Sequence, residues 1–214
     1  MKVLVTRPRE QAAALSDALR AEGFDVVEQP LIEVQPVSDD PIDVHGYDWV
    51  VVTSPNGARE LVRRATARPP AVAAVGPGTA EALGAWGADV VAGVHTQEGL
   101  VDAIPRPAGR VLFVGAEGAR EHLADELGAD VVVAYRTIEV PVEALADADV
   151  ALLASASAAR AYARAGGRGP AISIGPLTTA AARDAGVGVV AEAESHDLRG
   201  LVDSAAAWRA SSRS

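Results

Sequence analysis

The chain has 214 residues, of which 49% are hydrophobic and 22% are charged, so it can bury a sizeable core. Its formal net charge of −10 disfavours nucleic acid as the main partner, because phosphate binding needs a concentrated surface of Lys and Arg. The absence of cysteine excludes disulfides, thiol nucleophiles, iron–sulfur clusters and thiolate zinc sites.

Short runs of β-branched residues alternate with stretches rich in Ala and Leu along the whole chain. We expect strands to begin near Val3, Val26, Trp49, Val72, Val90, Val111, Val131, Val150, Ile172 and Val189. We expect helices to begin near Arg9, Asn56, Thr79, Glu98, Ala119, Ser157, Thr178 and Leu198. This alternation predicts an α/β fold in which helices cover parallel strands on both faces. Ten strands suit two small sheets better than one.

The chain also contains an internal duplication. Four segments recur in related form: Val3–Val5 as Val111–Phe113, Asp48–Ser54 as Asp149–Ser155, Val75–Thr79 as Ile174–Thr178, and Gly99–Asp102 as Gly200–Asp203. The last three matches keep their order along the chain. The duplication therefore predicts two similar lobes.

The sequence allows two ways to connect these lobes. Either each half of the chain forms one lobe, or the first strand–helix–strand unit joins the last part of the chain. Prolines at 30, 36, 41 and 141 keep the two Ile-Glu-Val stretches extended, which favours the crossed arrangement with those stretches as a connector. The predicted division is residues 1–34 plus 142–214 as one domain, 38–134 as the other, and 30–40 with 134–142 as a two-stranded linker.

Polar residues and glycines follow several predicted strands, at the edge where parallel sheets bind ligands. The candidate binding residues at these strand ends are Thr53, Ser54, Gly76, Thr79, Ser155, Gly175 and Thr178. Gly lets a ligand approach the backbone, Pro presets the first helical turn and Ser or Thr caps it, which leaves N–H groups for an anion. These residues also fit a simpler role as helix caps. Their duplication favours a ligand with several carboxylates or phosphates.

Four arginines fall near strand ends or the connector and can supply positive charge for such a ligand: Arg7, Arg59, Arg136 and Arg160. Each also fits a solvated helix surface. Tyr135 lies in the connector, and its phenol stays protonated at neutral pH, so it can donate a proton to a departing oxygen. A plain packing role for Tyr135 is the alternative.

Two other sequence patterns do not indicate a catalytic or a metal site. Ser195, His196 and Asp197 are neighbours in sequence, so their side chains point apart, and a helix start explains them better than a catalytic triad. The remaining histidines lack metal-ligand spacing, which predicts that the chain holds no metal.

Five segments occur in order over nearly the whole chain: Val3–Pro8, Thr53–Asn56, Val75–Ala80, Tyr135–Thr137 and Ile174–Thr178. This ordered set resembles the uroporphyrinogen-III synthase family. The resemblance implies two Rossmann-like or flavodoxin-like lobes joined by a two-stranded linker, with the active site between the lobes. The second lobe departs from the motif at Ala154 and Ala156.

Enzymes of this family are lyases that cyclise hydroxymethylbilane to uroporphyrinogen III and invert ring D through a spiro intermediate. The resemblance therefore implies neither a cofactor nor a metal. The resemblance implies that Tyr135 assists departure of the hydroxyl group. It implies that Thr79 and Thr178, with the adjoining N–H groups, hold carboxylates, and that Ser54 and Ser155 add donors. A non-catalytic two-lobed protein that binds a polyanionic small molecule is the alternative.

The sequence also supports expectations about the cellular location and the oligomeric state of the protein. The sequence begins with a strand and lacks a signal-peptide core, and its apolar runs are shorter than the roughly 20 residues that span a bilayer. We therefore expect a cytoplasmic monomer that does not bind membranes. A transient contact with the preceding enzyme of the pathway is compatible with this expectation.

Overall fold

A computed structural model describes residues 1–212 and divides into two compact units. Unit 1 comprises Met1–Glu33 and the chain from Ile138 onward, and unit 2 comprises Val34–Thr137. The strands are β1 (Lys2–Val5), β2 (Asp25–Glu28), β3 (Ile32–Pro36), β4 (Trp49–Val52), β5 (Ala71–Ala74), β6 (Val90–Val91), β7 (Val111–Ala116), β8 (Asp130–Glu139), β9 (Val150–Leu153), β10 (Ala171–Ser173) and β11 (Val189–Glu192). The α-helices are α1 (Arg9–Ala21), α2 (Pro55–Arg64), α3 (Pro77–Glu81), α4 (Gln97–Ala103), α5 (His122–Leu127), α6 (Ala156–Arg164), α7 (Pro176–Asp184) and α8 (Leu198–Ser211).

Unit 1 contains a parallel sheet in the order β11-β10-β9-β1-β2. Helices α1 and α8 bury Leu15, Leu19 and Leu201 on one face of this sheet. Helices α6 and α7 bury Tyr162 and Ala182 on the other face. The central strands are covered on both sides, which explains why their sequences are uninterrupted apolar runs.

Unit 2 contains a sheet in the order β3-β8-β7-β4-β5-β6. Strands β8, β7, β4, β5 and β6 pair in parallel, and β3 lies beyond β8 at the edge. Both β3 and β8 continue across the boundary between the units, and the amide of Val37 donates to the carbonyl of Ala134 at 3.1 Å.

The two units repeat one spatial arrangement of strands. Strands β1, β2, β9, β10 and β11 of unit 1 occupy the same sheet positions as β7, β8, β4, β5 and β6 of unit 2. In unit 1 these strands follow the flavodoxin-like order, in which the spatial sequence reverses beside the first strand, whereas in unit 2 the chain fills the same positions in a circularly permuted order, starting at β4. The predicted α/β class with parallel sheets is confirmed.

The predicted strands are present, and the predicted helix starts agree within three residues. The largest difference is α5, which begins at His122 although Ala119 was expected. Gly118 adopts a left-handed backbone with φ of 68°, and the amide of Ala119 closes a turn onto the carbonyl of Ala116. This turn delays the helix because a left-handed residue cannot continue it.

Candidate functional site

In unit 2, the end of β4 presents the hydroxyl group of Ser54. Ser54 is the N-cap of α2, and its Oγ accepts a hydrogen bond from the amide of Gly57 at 3.0 Å. A Cβ on Gly57 would lie 3.0 Å from the carbonyl oxygen of Val114, so glycine allows α2 to approach β7 closely. The cap and this close approach together fix the Ser54 hydroxyl at the carboxyl edge of the sheet.

A β-bulge brings Tyr135 to the same edge. Gly115 of β7 pairs with Val133 of β8, but the next residue, Ala116, pairs with Tyr135. The extra residue reverses the alternation of the strand, because Val131 and Val133 line a cavity on one face while Tyr135 packs in the core on the other. Tyr135 therefore lies on the face that α2 covers.

The hydroxyl groups of Ser54 and Tyr135 form a hydrogen bond, with 2.8 Å between Oγ and Oη. Tyr135 is only 7% exposed, and burial raises the pKa of its phenol, while its interactions with Ser54 and Asn56 oppose that rise. The phenol is therefore protonated at neutral pH. It is placed beside a second hydroxyl, which makes the pair a potential proton donor.

The Gly-Pro turn of unit 2 follows β5. Gly76 is the N-cap of α3 with an extended backbone, and Pro77 occupies the first helical position. The amide of Thr79 donates to the carbonyl of Gly76 at 3.1 Å, and the side chain of Thr79 is buried. The amide of Thr79 therefore makes its hydrogen bond within the turn itself.

The Gly-Pro turn of unit 1 follows β10 and repeats this geometry. Gly175 is the N-cap of α7, Pro176 follows, and the amide of Thr178 donates to the carbonyl of Gly175 at 3.0 Å. The expectation that the amides at these helix starts are free is therefore wrong for Thr79 and Thr178. Each closes a tight turn after a proline that has no N–H of its own.

A histidine ring lies against each of these glycines, and sequence reasoning missed both rings. A Cβ on Gly76 would lie 3.2 Å from the ring of His95, and a Cβ on Gly175 would lie 3.1 Å from the ring of His196. The glycines therefore make room for imidazoles. Both histidines are exposed, and each directly precedes a helix cap, Thr96 for α4 and Asp197 for α8. Aligning the repeats by these caps would have found the pair.

The other predicted binding residues occupy strand ends within their own units. Ser155 is the N-cap of α6 and accepts from the amide of Ala158 at 3.1 Å, so it repeats the cap geometry of Ser54. Thr53 is half-buried after β4. Arg7 follows β1, and its guanidinium Nε donates to the carbonyl of Gln11 at 2.9 Å. The roles of these residues in binding stay predictions.

Three further arginines were predicted to supply positive charge, namely Arg59, Arg136 and Arg160. All three are exposed, and the first two contact polar side chains. Arg59 donates to Oδ1 of Asn56 at 2.8 Å, and Arg136 donates to Oε1 of Gln35 at 3.4 Å. Arg160 lies on α6 at the position that corresponds to Arg59. A ligand with carboxylates would therefore meet Arg59 already engaged with its own helix.

Metal and membrane sites can be assessed for residues 1–212. Within this range, His, Asp and Glu form no cluster of three or more that could hold a metal ion. None of the helices in that range combines the length and the apolar character that a membrane span requires.

Residues 13–203 match the family described as Uroporphyrinogen-III synthase HemD. The putative uroporphyrinogen-III synthase of Methanocaldococcus jannaschii is 26% identical over 151 residues, which cover 65% of this chain and 63% of that protein. The uroporphyrinogen-III synthase of Synechococcus elongatus is 32% identical over 157 residues, which cover 65% of this chain and 58% of that protein. The matched part thus spans less than two thirds of the length of either relative.

Two solved structures share the fold. The crystal structure of a mutant uroporphyrinogen III synthase from the extremely thermophilic bacterium Thermus thermophilus has a TM-score of 0.67 at 18% identity and covers both chains completely. The uroporphyrinogen-III synthetase of Helicobacter pylori has a TM-score of 0.67 at 16% identity and covers 97% of this chain and 99% of that one. Because the family match extends over residues 13–203, the chain belongs to the uroporphyrinogen-III synthase family.

Proposed function

We propose that the chain cyclises hydroxymethylbilane, a linear tetrapyrrole with eight carboxylates, to uroporphyrinogen III with inversion of ring D. Membership of the family and the names of the relatives support this activity. The observation that carries the proposal is the hydrogen-bonded pair of Ser54 and Tyr135 at the carboxyl edge of a sheet. This pair offers a proton without Cys, His or Lys.

The first step is loss of the terminal hydroxyl group of the substrate. Tyr135 donates a proton to the departing oxygen, the C–O bond breaks, and water leaves an electrophilic cation on the methylene carbon. The Ser54 hydroxyl and the Asn56 amide then stabilise the oxygen that has lost its proton. Burial holds the pKa of Tyr135 above its usual value, so the proton is present at neutral pH.

The inversion follows from which carbon of ring D attacks that cation. Attack by the substituted carbon gives a spiro intermediate, which fragments and recloses through the free carbon of the same ring. The free carbon loses its proton on reclosure, and that proton restores the phenol. Redox equivalents are neither consumed nor produced.

Selectivity has to come from positioning, because the unaided substrate closes without inversion. We assign the holding of carboxylates to Arg7, Thr53, Ser155 and the two turns Gly76–Thr79 and Gly175–Thr178. Polar groups fixed at strand ends can restrict a flexible chain to one reactive geometry, which is the usual source of such selectivity.

The decisive experiment is incubation of the protein with hydroxymethylbilane, generated in place by the preceding enzyme, followed by separation of the type I and type III isomers. We expect type III to predominate with the protein present and type I without it. An isomer ratio equal to that of the protein-free control would refute the proposed activity.

We further propose that the protein acts as a cytoplasmic monomer and meets the enzyme that produces its substrate only transiently. Light scattering should give the mass of one chain, 21.9 kDa, across the working concentration range. A stable dimer would contradict this proposal.

We also propose residues 30–40 and 134–142 as a two-stranded linker between a domain of residues 1–34 plus 142–214 and a domain of residues 38–134. Division of the chain near Val34 and Thr137 supports these bounds. If they are correct, a protein of residues 38–134 alone should give a dispersed NMR spectrum. A collapsed spectrum would contradict them.

A further inference from the structure

One face of the sheet in unit 2 carries a cavity of about 550 Å³ beside α5. Phe113, Ala129, Val131 and Val133 form part of its lining. Val131 is 53% exposed and Val133 is 39% exposed, so the apolar part of the cavity is open to solvent. Tyr135 packs on the opposite face of the sheet, and the cavity is therefore separate from the candidate site.

The corresponding place in unit 1 can be located from the way in which the preceding helix ends. Helices α1 and α5 are each followed by a left-handed glycine, Gly23 and Gly128. The next residue donates its amide to the helix carbonyl five positions back, Phe24 at 3.1 Å and Ala129 at 2.8 Å. The pairs of residues that this shared turn aligns are Phe24 with Ala129, Arg20 with Asp125, and Glu28 with Val133.

Unit 1 fills this place with its own side chains. The ring of Phe24 is 5% exposed and belongs to the core that α1 covers. Arg20 forms an ion pair with Glu28, with 3.0 Å between Nη2 and Oε1, and so joins the helix to the outer strand β2. The corresponding residues of unit 2 offer neither a ring nor a cation. The cavity is therefore open where unit 1 has an aromatic ring and a guanidinium.

The rim of the cavity carries negative charge. Glu121 and Asp125 lie one turn apart, and the amide of Asp125 donates to the carbonyl of Glu121 at 2.9 Å. Both side chains are exposed, and neither forms an ion pair with residues 1–212. Arg120 also lines the cavity, but its guanidinium donates to both carboxylate oxygens of Glu98, at 2.9 and 3.3 Å. The rim therefore attracts a cation.

We propose that this cavity is a docking site for a segment of another protein that presents an aromatic or large aliphatic side chain next to Lys or Arg. The apolar side chain takes the place that Phe24 fills in unit 1, and the cation takes the place of Arg20. Because the cavity is open along Val131 and Val133, its ligand keeps one side in solvent, as a side chain attached to a larger partner does.

Charge argues against a second copy of this chain as the partner. Each copy has a formal net charge of −10, so docking two copies would bring like charges together. A basic partner is attracted by the same charge. The inference goes beyond the proposed function and does not depend on it.

The test is an NMR titration of the ¹⁵N-labelled full chain with three short capped peptides. The first has one Phe flanked by Lys on both sides, the second replaces the Phe with Ala, and the third replaces each Lys with Glu. We expect the first to shift the amide signals of Ala129, Val131 and Val133 saturably. Its affinity should fall about tenfold or more without the aromatic ring, and it should also fall with the acidic flanks and with added salt.

Variants of the chain locate the binding site. Glu121→Gln/Asp125→Asn keeps the size of both side chains and should weaken binding of the first peptide about threefold or more. Ala129→Phe restores the residue of unit 1 and should weaken it about tenfold by filling the cavity. Val190→Thr changes a valine of β11 that is 46% exposed, and it should bind the peptide as the unmodified chain does.

The inference fails if the peptide with Phe and Lys does not bind, or if all three peptides bind equally. Unchanged affinity in Glu121→Gln/Asp125→Asn would also overturn it, and this variant decides the matter if Ala129→Phe does not fold. A dimer of the chain that sedimentation detects and that Ala129→Phe abolishes would assign the face to a second copy instead. Peptide binding is read without substrate, so its outcome is independent of the cyclisation activity.

Discussion

The hydroxyl oxygens of Ser54 and Tyr135 lie 2.8 Å apart although 81 residues separate them in the chain. The bulge opposite Gly115 and Ala116 is the cause, since it moves Tyr135 away from the face that Val131 and Val133 occupy. One extra residue in β8 thus decides whether the phenol meets α2.

Replacement of Tyr135 tests its proposed role as proton donor. Tyr135→Phe keeps the buried ring, so the circular dichroism spectrum should match that of the unmodified protein. We expect the rate of type III formation to fall by about 10²-fold or more, because general acid catalysis contributes that much in comparable reactions. Tyr162→Phe, which changes a tyrosine in the core of unit 1, is the control. An unchanged rate in Tyr135→Phe would remove the phenol from the mechanism.

Stability at alkaline pH provides an independent test of the burial of Tyr135. Burial raises the pKa of the phenol above 10.0, so the native protein holds this proton more tightly than the unfolded chain. The resulting contribution is fully present below pH 10 and is lost as the pH rises through the native pKa. Urea unfolding between neutral pH and pH 11 or so should therefore show a shallower decline for Tyr135→Phe than for the unmodified protein. Parallel declines would count against burial of the phenol.

The contact between glycine and histidine can be tested by adding one methyl group. Gly175→Ala should reduce the free energy of unfolding by about 0.5–1 kcal/mol, because its Cβ would lie 3.1 Å from the exposed ring of His196, which has to shift slightly. His196→Ala in the same chain should restore most of the loss. Gly78→Ala is a matched control, since its Cβ would have no neighbour within 4 Å. Equal losses with and without the His196 ring would show that the ring is not the obstacle.

Two buried hydroxyl groups in unit 1, linked by hydrogen bonds to each other and to the exposed Glu192, predict non-additive effects on stability. Ser173 Oγ lies 2.5 Å from Thr179 Oγ1, and Thr179 also donates to Glu192. Ser173→Ala alone should cost about 1–3 kcal/mol, because it leaves a buried hydroxyl with fewer partners.

The double variant Ser173→Ala/Thr179→Ala reproduces the residues of unit 2, Ala74 and Ala80. It should therefore cost less than the sum of the two single changes. Chemical denaturation of the four proteins measures this coupling, and strictly additive losses would argue that the hydroxyls act separately.

The sequence predicted most directly the strands that are buried on both faces of a sheet. Val50–Val52 and Val150–Leu153 are covered on both faces, so their apolar runs predicted the central strands directly. The sequence did not predict the bulge at Tyr135, because the run Val131–Ala134 is compatible both with regular alternation and with a shifted register.

The candidate site was predictable only at the level of strand ends. The motif identified the Gly-Pro turns, but it could not tell that their threonine amides close the turns or that histidine rings fill the space beside the glycines. Those details depend on contacts between segments far apart in sequence. The signal available was the equivalent placement of His95 and His196 in the duplication.

Strand β1 lies between β2 and β9, whose residues are separated by all of unit 2. On the ribosome, Val34–Thr137 emerges as one uninterrupted stretch and can complete its sheet early, apart from the edge strand β3. The nascent β1, in contrast, keeps an open apolar edge until β9 leaves the exit tunnel. A delay before β9 emerges therefore prolongs the exposure of that edge, although unit 2 is by then available to fold.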